Sequence, residues 1–192
     1  MKHPTGGYEK IAKFKGSRVA TFENLSFFRG MSAAYSTGVP NVVVPRRDRR
    51  PRHSSNKFHQ AADEWFRSKF GIAYRSGGVF VTPMTLSAGA YGASPDHVMR
   101  VIPMSEYRYC WSPKVTDLLF AANRFSEATN SAIEGFLNDA NYREGDLQSA
   151  YDMGVEIMLH CEMYLAIPIG LCRRPVDQTG AAIILPTGCE TA

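Results

Sequence analysis

The chain has 192 residues and a mass of 21.3 kDa, with 44% hydrophobic and 21% charged residues, which describes one globular domain with its own core and excludes a chain disordered throughout. The formal net charge is +4 and the pI near 8.9, and five arginines (Arg46, Arg47, Arg49, Arg50 and Arg52) fall in one short run, so the basic character is local. The four cysteines (Cys110, Cys161, Cys172 and Cys189) form no CxxC pair, and no stretch approaches the ~18 apolar residues of a membrane span, so free thiols, no metal and a soluble cytoplasmic protein are expected.

In chain order, residues 1–20 lack a sustained period and read as an N-terminal arm. Leu25 to Phe28 is a short aromatic-rich run that predicts a buried strand with Arg29, Gly30 and Met31 at its exit. Residues 32–55 carry three prolines and the arginine run, which predicts a long loop with a short strand at Val42 to Val44. Ser54 and Ser55 are N-cap candidates for a helix over Phe58 to Lys69, whose apolar residues Phe58, Ala61, Ala62, Trp65 and Phe66 recur at helical spacing, and Gly71 ends it.

Gly77 and Gly78 open a strand that Pro83 stops, and Thr85 to Tyr91 follows as a short helix closed by Gly92. Strands are predicted at Val98 to Pro103 and Tyr107 to Trp111. Ser112-Pro113 predicts a cap and first turn for a helix bearing Val115, Leu118, Leu119 and Ala122. Helices over Ala128 to Ala140 and Glu144 to Met153 come next, then strands at Val155 to Leu159 and Met163 to Ile169 separated by His160-Cys161-Glu162. The tail, residues 172–192, has one further apolar run at Ala181 to Leu185. Strands and helices in this irregular order predict a single α+β domain with its core over about residues 22–170.

The sequence has no nucleophile elbow, no phosphate-binding P-loop, no HExxH and no dinucleotide-binding glycine turn. What stands out is a polar residue on each of three apolar or aromatic elements: Arg29 after the first strand, Thr82 with Tyr91 after the glycine-opened strand, and Glu156 within the penultimate strand. A carboxylate beside Val155, Ile157, Met158 and Leu159 either faces solvent by strand alternation or is paired in a cleft.

Phe27-Phe28-Arg29-Gly30-Met31, Gly78 to Thr82 followed by Ser87-Ala88-Gly89-Ala90-Tyr91, and Gly154 to Leu159 together resemble, in that order, the three motif blocks of the ADP-ribosyltransferase superfamily, especially its poly(ADP-ribose) polymerase-like branch. The resemblance implies a split β-sheet core with flanking helices and NAD bound in the cleft between the sheets. It implies that Gly30 reads the nicotinamide amide through its backbone, that Arg29 holds the ribose or pyrophosphate, and that Tyr91 and Phe80 sandwich the nicotinamide ring. Ser87 or Thr82 adds a hydroxyl, and Glu156 stabilises the oxocarbenium-like transition state.

The chain departs from that branch in carrying Arg29 for its His, Phe80 for its Tyr and Ala88 for its Ser. Arginine-modifying members have an acidic or amide residue where this chain has Gly154, so arginine is not implied as acceptor. The arginine run, Phe58 to Lys69 and Tyr109 to Pro113 are also similar to small bacteriophage proteins, which implies a host cytoplasm or a virion as the setting. NAD hydrolysis, RNA 2′-phosphate transfer and an inactive binding or virion structural role on the same fold remain open at this level. The arginine run is a candidate contact for a protein or nucleic-acid acceptor.

Overall fold

Seven short strands and seven helices form over residues 20–50, 54–125 and 127–172, the residues that the computed structural model describes. All but the last residue of the expected N-terminal arm, the apolar run at Ala181 to Leu185, Arg52 and Cys189 lie outside them, as does all but the first residue of the tail. The strands are β1 (Phe28–Gly30), β2 (Asn41–Val43), β3 (Val79–Val81), β4 (Val98–Pro103), β5 (Tyr107–Trp111), β6 (Ile157–Cys161) and β7 (Tyr164–Pro168). The helices are α1 (Asn56–Phe70), α2 (Tyr74–Gly77), α3 (Thr85–Gly89), α4 (Leu118–Asn123), α5 (Asn130–Asp139), α6 (Leu147–Asp152) and α7 (Ile169–Cys172).

All strand pairs are antiparallel and make two sheets, β1-β4-β7-β2 and β3-β6-β5. Strand alternation sets the layers. Val79 and Val81 of β3, Trp111 of β5, and Ile157, Leu159 and Cys161 of β6 pack with Met99, Val101, Tyr164 and Ala166 of the first sheet. The intervening residues Phe80, Cys110 and Met158 face a second apolar cluster built with Phe58, Ala62 and Phe66 of α1, Leu118 and Ala122 of α4, and Ile133 and Leu137 of α5. The fold is therefore α+β in three layers: sheet, sheet and helices. A two-way backbone bridge between Phe28 and Thr82 (2.7 and 2.9 Å) stitches β1 to the end of β3 at one corner.

β6 is the centre of its sheet and is covered on both faces, so its alternation carries no polar side. Here the structure corrects the sequence reading. The strand begins at Ile157 and includes His160 and Cys161, so Glu156 precedes it rather than lying inside it. Gly154, at φ 68°, turns the chain out of α6, and the Glu156 N–H donates to the Thr116 carbonyl at 2.9 Å.

Two other boundaries move. Arg29 is the middle of β1, not its exit, because Phe27 is buried ahead of the strand and pairing begins at Phe28. Ser112 does not cap a helix. Its hydroxyl accepts from the N–H groups of Lys114 and Val115 and donates to the Ala140 carbonyl, while Asp117 caps α4 by accepting from the Leu119 N–H at 2.7 Å.

α1 starts and stops where its caps require. Ser55 accepts from the Phe58 N–H at 3.1 Å, and left-handed Gly71 donates to the Arg67 carbonyl at 2.9 Å. Its buried Asp63 accepts from the N–H groups of Arg75 (2.8 Å) and Ser76 (3.1 Å), supplying the acceptor that the first turn of the four-residue α2 lacks. Asp63 thereby fixes where Arg75 sits. Among the described residues no helix is long and apolar enough to cross a membrane.

Candidate active site

β3 is an edge strand, and its free carbonyls need donors. Two arginines supply them: Arg29 Nη1 donates to the Phe80 carbonyl at 3.3 Å and Arg49 Nη1 to the Gly78 carbonyl at 2.7 Å, with the Arg49 N–H on the Ser76 carbonyl. Along this edge runs a cleft of about 1270 Å³, larger than the ~300–1,000 Å³ typical of small-molecule sites. Arg29, Gly30, Phe80, Thr82, Ser87, Tyr91 and Glu156 all line it.

β1 and α3 form one wall. A Cβ on Gly30 would land on backbone atoms of Ala88, Tyr91 and Gly92, the Tyr91 carbonyl carbon at 2.6 Å. The absence of a side chain at Gly30 is thus required by the close approach of the α3–Tyr91 segment, a packing reason that ligand recognition does not supply. Tyr91 is 47% exposed, and its hydroxyl donates to Asp117 Oδ2 at 2.6 Å. Thr82 Oγ1 accepts from the Met84 N–H at 3.1 Å, which sets the turn into α3.

Glu156 is only partly exposed, with Oε1 accepting from the Leu118 N–H at 3.2 Å. Burial pushes its carboxyl up to about 8, and the neighbouring Asp117 carboxylate adds to the shift. The Leu118 N–H, Arg75 and Arg49 pull it back down, too weakly to cancel it. Burial, and after it the hydrogen bond to Asp117, also raises the Tyr91 phenol.

On the other wall, Phe80 projects toward the helix layer. The guanidiniums of Arg49 and Arg75 lie over its ring at 5.1 and 5.5 Å. Burial lowers Arg49 to about 10, with Arg29 and Arg75 repelling it. Of the arginine run, Arg46, Arg49 and Arg50 line the cleft, whereas Arg47 turns to the end of β6, where it donates to the Cys161 carbonyl at 3.0 Å and meets His160. Seven arginines and lysines line the cleft against two carboxylates, Asp117 and Glu156. Among the described residues, the lining of this cleft therefore carries a surplus of positive charge.

Comparison of the chain with protein-family models, with curated proteins and with solved structures finds no match.

Asp117, Arg75 and His59 also line the cleft, and none of them carries a local sequence signal. Placing the helix start at Ser112-Pro113 hid Asp117, because an aspartate inside a helix carries no signal whereas an N-cap aspartate does. Arg75 belongs to a one-turn helix with no periodicity, and His59 sits on a helix whose apolar stripe alone drew notice. Among the described residues no cluster of three metal-ligating side chains occurs.

The pairing of Asp117 with Glu156 has a testable consequence. Asp117→Asn removes a like charge, so Glu156 is expected to ionise at lower pH and the acidic limb of any Glu156-dependent rate to move the same way. A pH–rate profile of the variant checks this, and an unmoved limb contradicts the coupling.

Proposed function

We propose that the protein is an NAD-dependent mono-ADP-ribosyltransferase with an ADP-ribosyltransferase-like split-sheet core, transferring ADP-ribose to a protein or nucleic-acid acceptor. The observation that carries the reading is convergence: three sequence blocks spread from Arg29 to Glu156 line one cleft.

In this reading the half-exposed Tyr91 ring stacks on nicotinamide, and Arg29, whose partner in the fold is a neutral carbonyl, holds the ribose or pyrophosphate. Ser87 or Thr82 supplies a hydroxyl contact. Phe80 supports the site from beneath the arginines and leaves Tyr91 as the open aromatic face.

The bond between the ribose C1′ and the nicotinamide nitrogen breaks, and its electron pair leaves with neutral nicotinamide. An acceptor lone pair forms the new bond to C1′ and the acceptor's proton passes to solvent. Ionised Glu156 stabilises the positive charge that develops on the ribose between these events. Binding of a cationic nicotinamide ring beside Glu156 favours that ionised form, offsetting the burial that holds the empty site protonated at neutral pH.

The test is incubation of the protein and a lysate with NAD labelled in its adenylate half. Label on protein or nucleic acid, absent with Glu156→Ala, is the expected result. Free ADP-ribose alone would reassign the site to NAD hydrolysis, and neither product overturns both.

A further inference from the structure

Hydrogen bonds tie two residues of the proposed chemistry, Tyr91 and Glu156, to one tripeptide, Thr116-Asp117-Leu118. The Glu156 N–H donates to the Thr116 carbonyl at 2.9 Å and Glu156 Oε1 accepts from the Leu118 N–H at 3.2 Å, so the glutamate is held there by backbone and carboxyl together. Between these two contacts, Asp117 Oδ2 accepts from the Tyr91 hydroxyl at 2.6 Å, the length of a charge-assisted O–H···O⁻ bond. Its other oxygen takes the Leu119 N–H at 2.7 Å, which caps α4 and anchors the carboxylate to the helix layer.

Tyr91 depends on such a partner. Its backbone is fixed: the N–H donates to the Ala88 carbonyl at 3.1 Å, and the carbonyl carbon lies so close to Gly30 that no Cβ fits there. Its ring is 47% exposed, so packing does not hold it. Fixing the hydroxyl stops the swing of the ring about χ1, and because a phenolic O–H lies near its ring plane, an anchored acceptor orients that plane as well.

We infer that Asp117 is a positioning residue, which sets the face of the Tyr91 ring in register with the Glu156 carboxyl so that a nicotinamide stacked on the ring brings its ribose to that carboxyl; this role rests on the transferase reading above. Asp117 acts through Tyr91 and makes no bond to the reacting atoms. A misplacement of about 1 Å in a bound reactant costs on the order of a hundredfold in rate, so the register matters to the chemistry as well as to affinity.

Three substitutions separate the bond from the helix cap. Tyr91→Phe removes the hydroxyl and leaves the cap intact, and Asp117→Ala removes both. In Asp117→Asn the amide oxygen keeps the cap while the NH2 donates to the tyrosine oxygen, so the contact survives with its direction reversed.

The experiment measures NAD cleavage by the full chain on the alkaline side of the Glu156 titration, with thermal melting to establish that each variant folds. Tyr91→Phe and Asp117→Ala are each expected to lower kcat/KM by about tenfold or more, the double variant by no more than about twofold beyond the poorer single, and Asp117→Asn by less than about threefold. Parent-like rates in either single variant, losses that multiply in the double, or Asp117→Asn as poor as Asp117→Ala overturn the positioning role. If Asp117→Ala does not fold, Tyr91→Phe against Asp117→Asn keeps the test decisive.

A second readout needs no NAD. In the empty protein isotope-labelled at tyrosine Cζ, the magnetic resonance signal that Tyr91→Phe removes is expected to shift in Asp117→Ala, and an unshifted signal overturns the bond. A shifted signal in a parent protein that neither binds nor cleaves NAD overturns the transferase reading, and the role toward NAD with it, while leaving the Tyr91–Asp117 bond in place.

Discussion

Glu156→Gln is expected to lower NAD cleavage by on the order of a hundredfold or more while changing NAD affinity only a few-fold, because the amide keeps the size and loses the charge that matters as nicotinamide departs. The same substitution is expected to stabilise the empty protein, with a sign fixed by titration. Glu156 titrates at about 8 in the folded chain, against an ordinary value of 4.5.

Below pH 4.5 both folded and unfolded chains hold the proton, and the substitution is nearly neutral. Between 4.5 and about 8 the unfolded chain alone has released it, so the parent protein loses stability as pH rises, and above about 8 that loss is complete. Thermal melting of the two proteins is expected to coincide near the acid end and to separate by several degrees, the glutamine variant higher, on the alkaline side. A variant that is inactive and also less stable at alkaline pH would make Glu156 a structural residue. A fully active variant would remove it from the chemistry.

Gly30→Ala is expected to cost about 3 kcal/mol or more, because the added methyl meets backbone that cannot rotate away. For a chain of this size that is roughly 6–12 °C in melting temperature. The control is Gly135→Ala on the exposed face of α5, where nothing lies within 4 Å of the added carbon. There alanine is expected to be neutral or to stabilise by up to about 1 kcal/mol. If Gly30→Ala melts like the parent protein yet fails to bind NAD, then ligand approach, not packing against the Tyr91 segment, explains the glycine.

The parts of the fold legible in sequence were those governed by local rules. β4 and β5 form over Val98–Pro103 and Tyr107–Trp111, the predicted spans, and α1 ends at the predicted serine and glycine caps. What was not legible depends on partners distant in sequence. Glu156 was read as a strand residue because apolar neighbours on both sides mimic a strand, whereas the turn at Gly154 and the bond to Thr116 hold it just outside. α2 forms because Asp63 of α1 supplies its first-turn acceptor, and nothing in the residues 74–77 announces that.

The candidate site divides along the same line. Arg29, Gly30, Thr82, Ser87, Tyr91 and Glu156 were singled out from three short blocks, and they meet in one cleft. Arg75 and Asp117 were invisible because each matters only through what folding places beside it. The arginine run was legible as charge but not as geometry: Arg49 binds a sheet edge inside the cleft, and Arg47 turns away to β6.

NAD binding is the claim on which the account stands, and calorimetric titration of NAD into the Glu156→Gln protein measures it without turnover. One saturable site per chain with a dissociation constant at or below about 1 mM, lost on adding Tyr91→Ala, is the expected result. No saturable binding, or binding that ignores the loss of the Tyr91 ring, would contradict it.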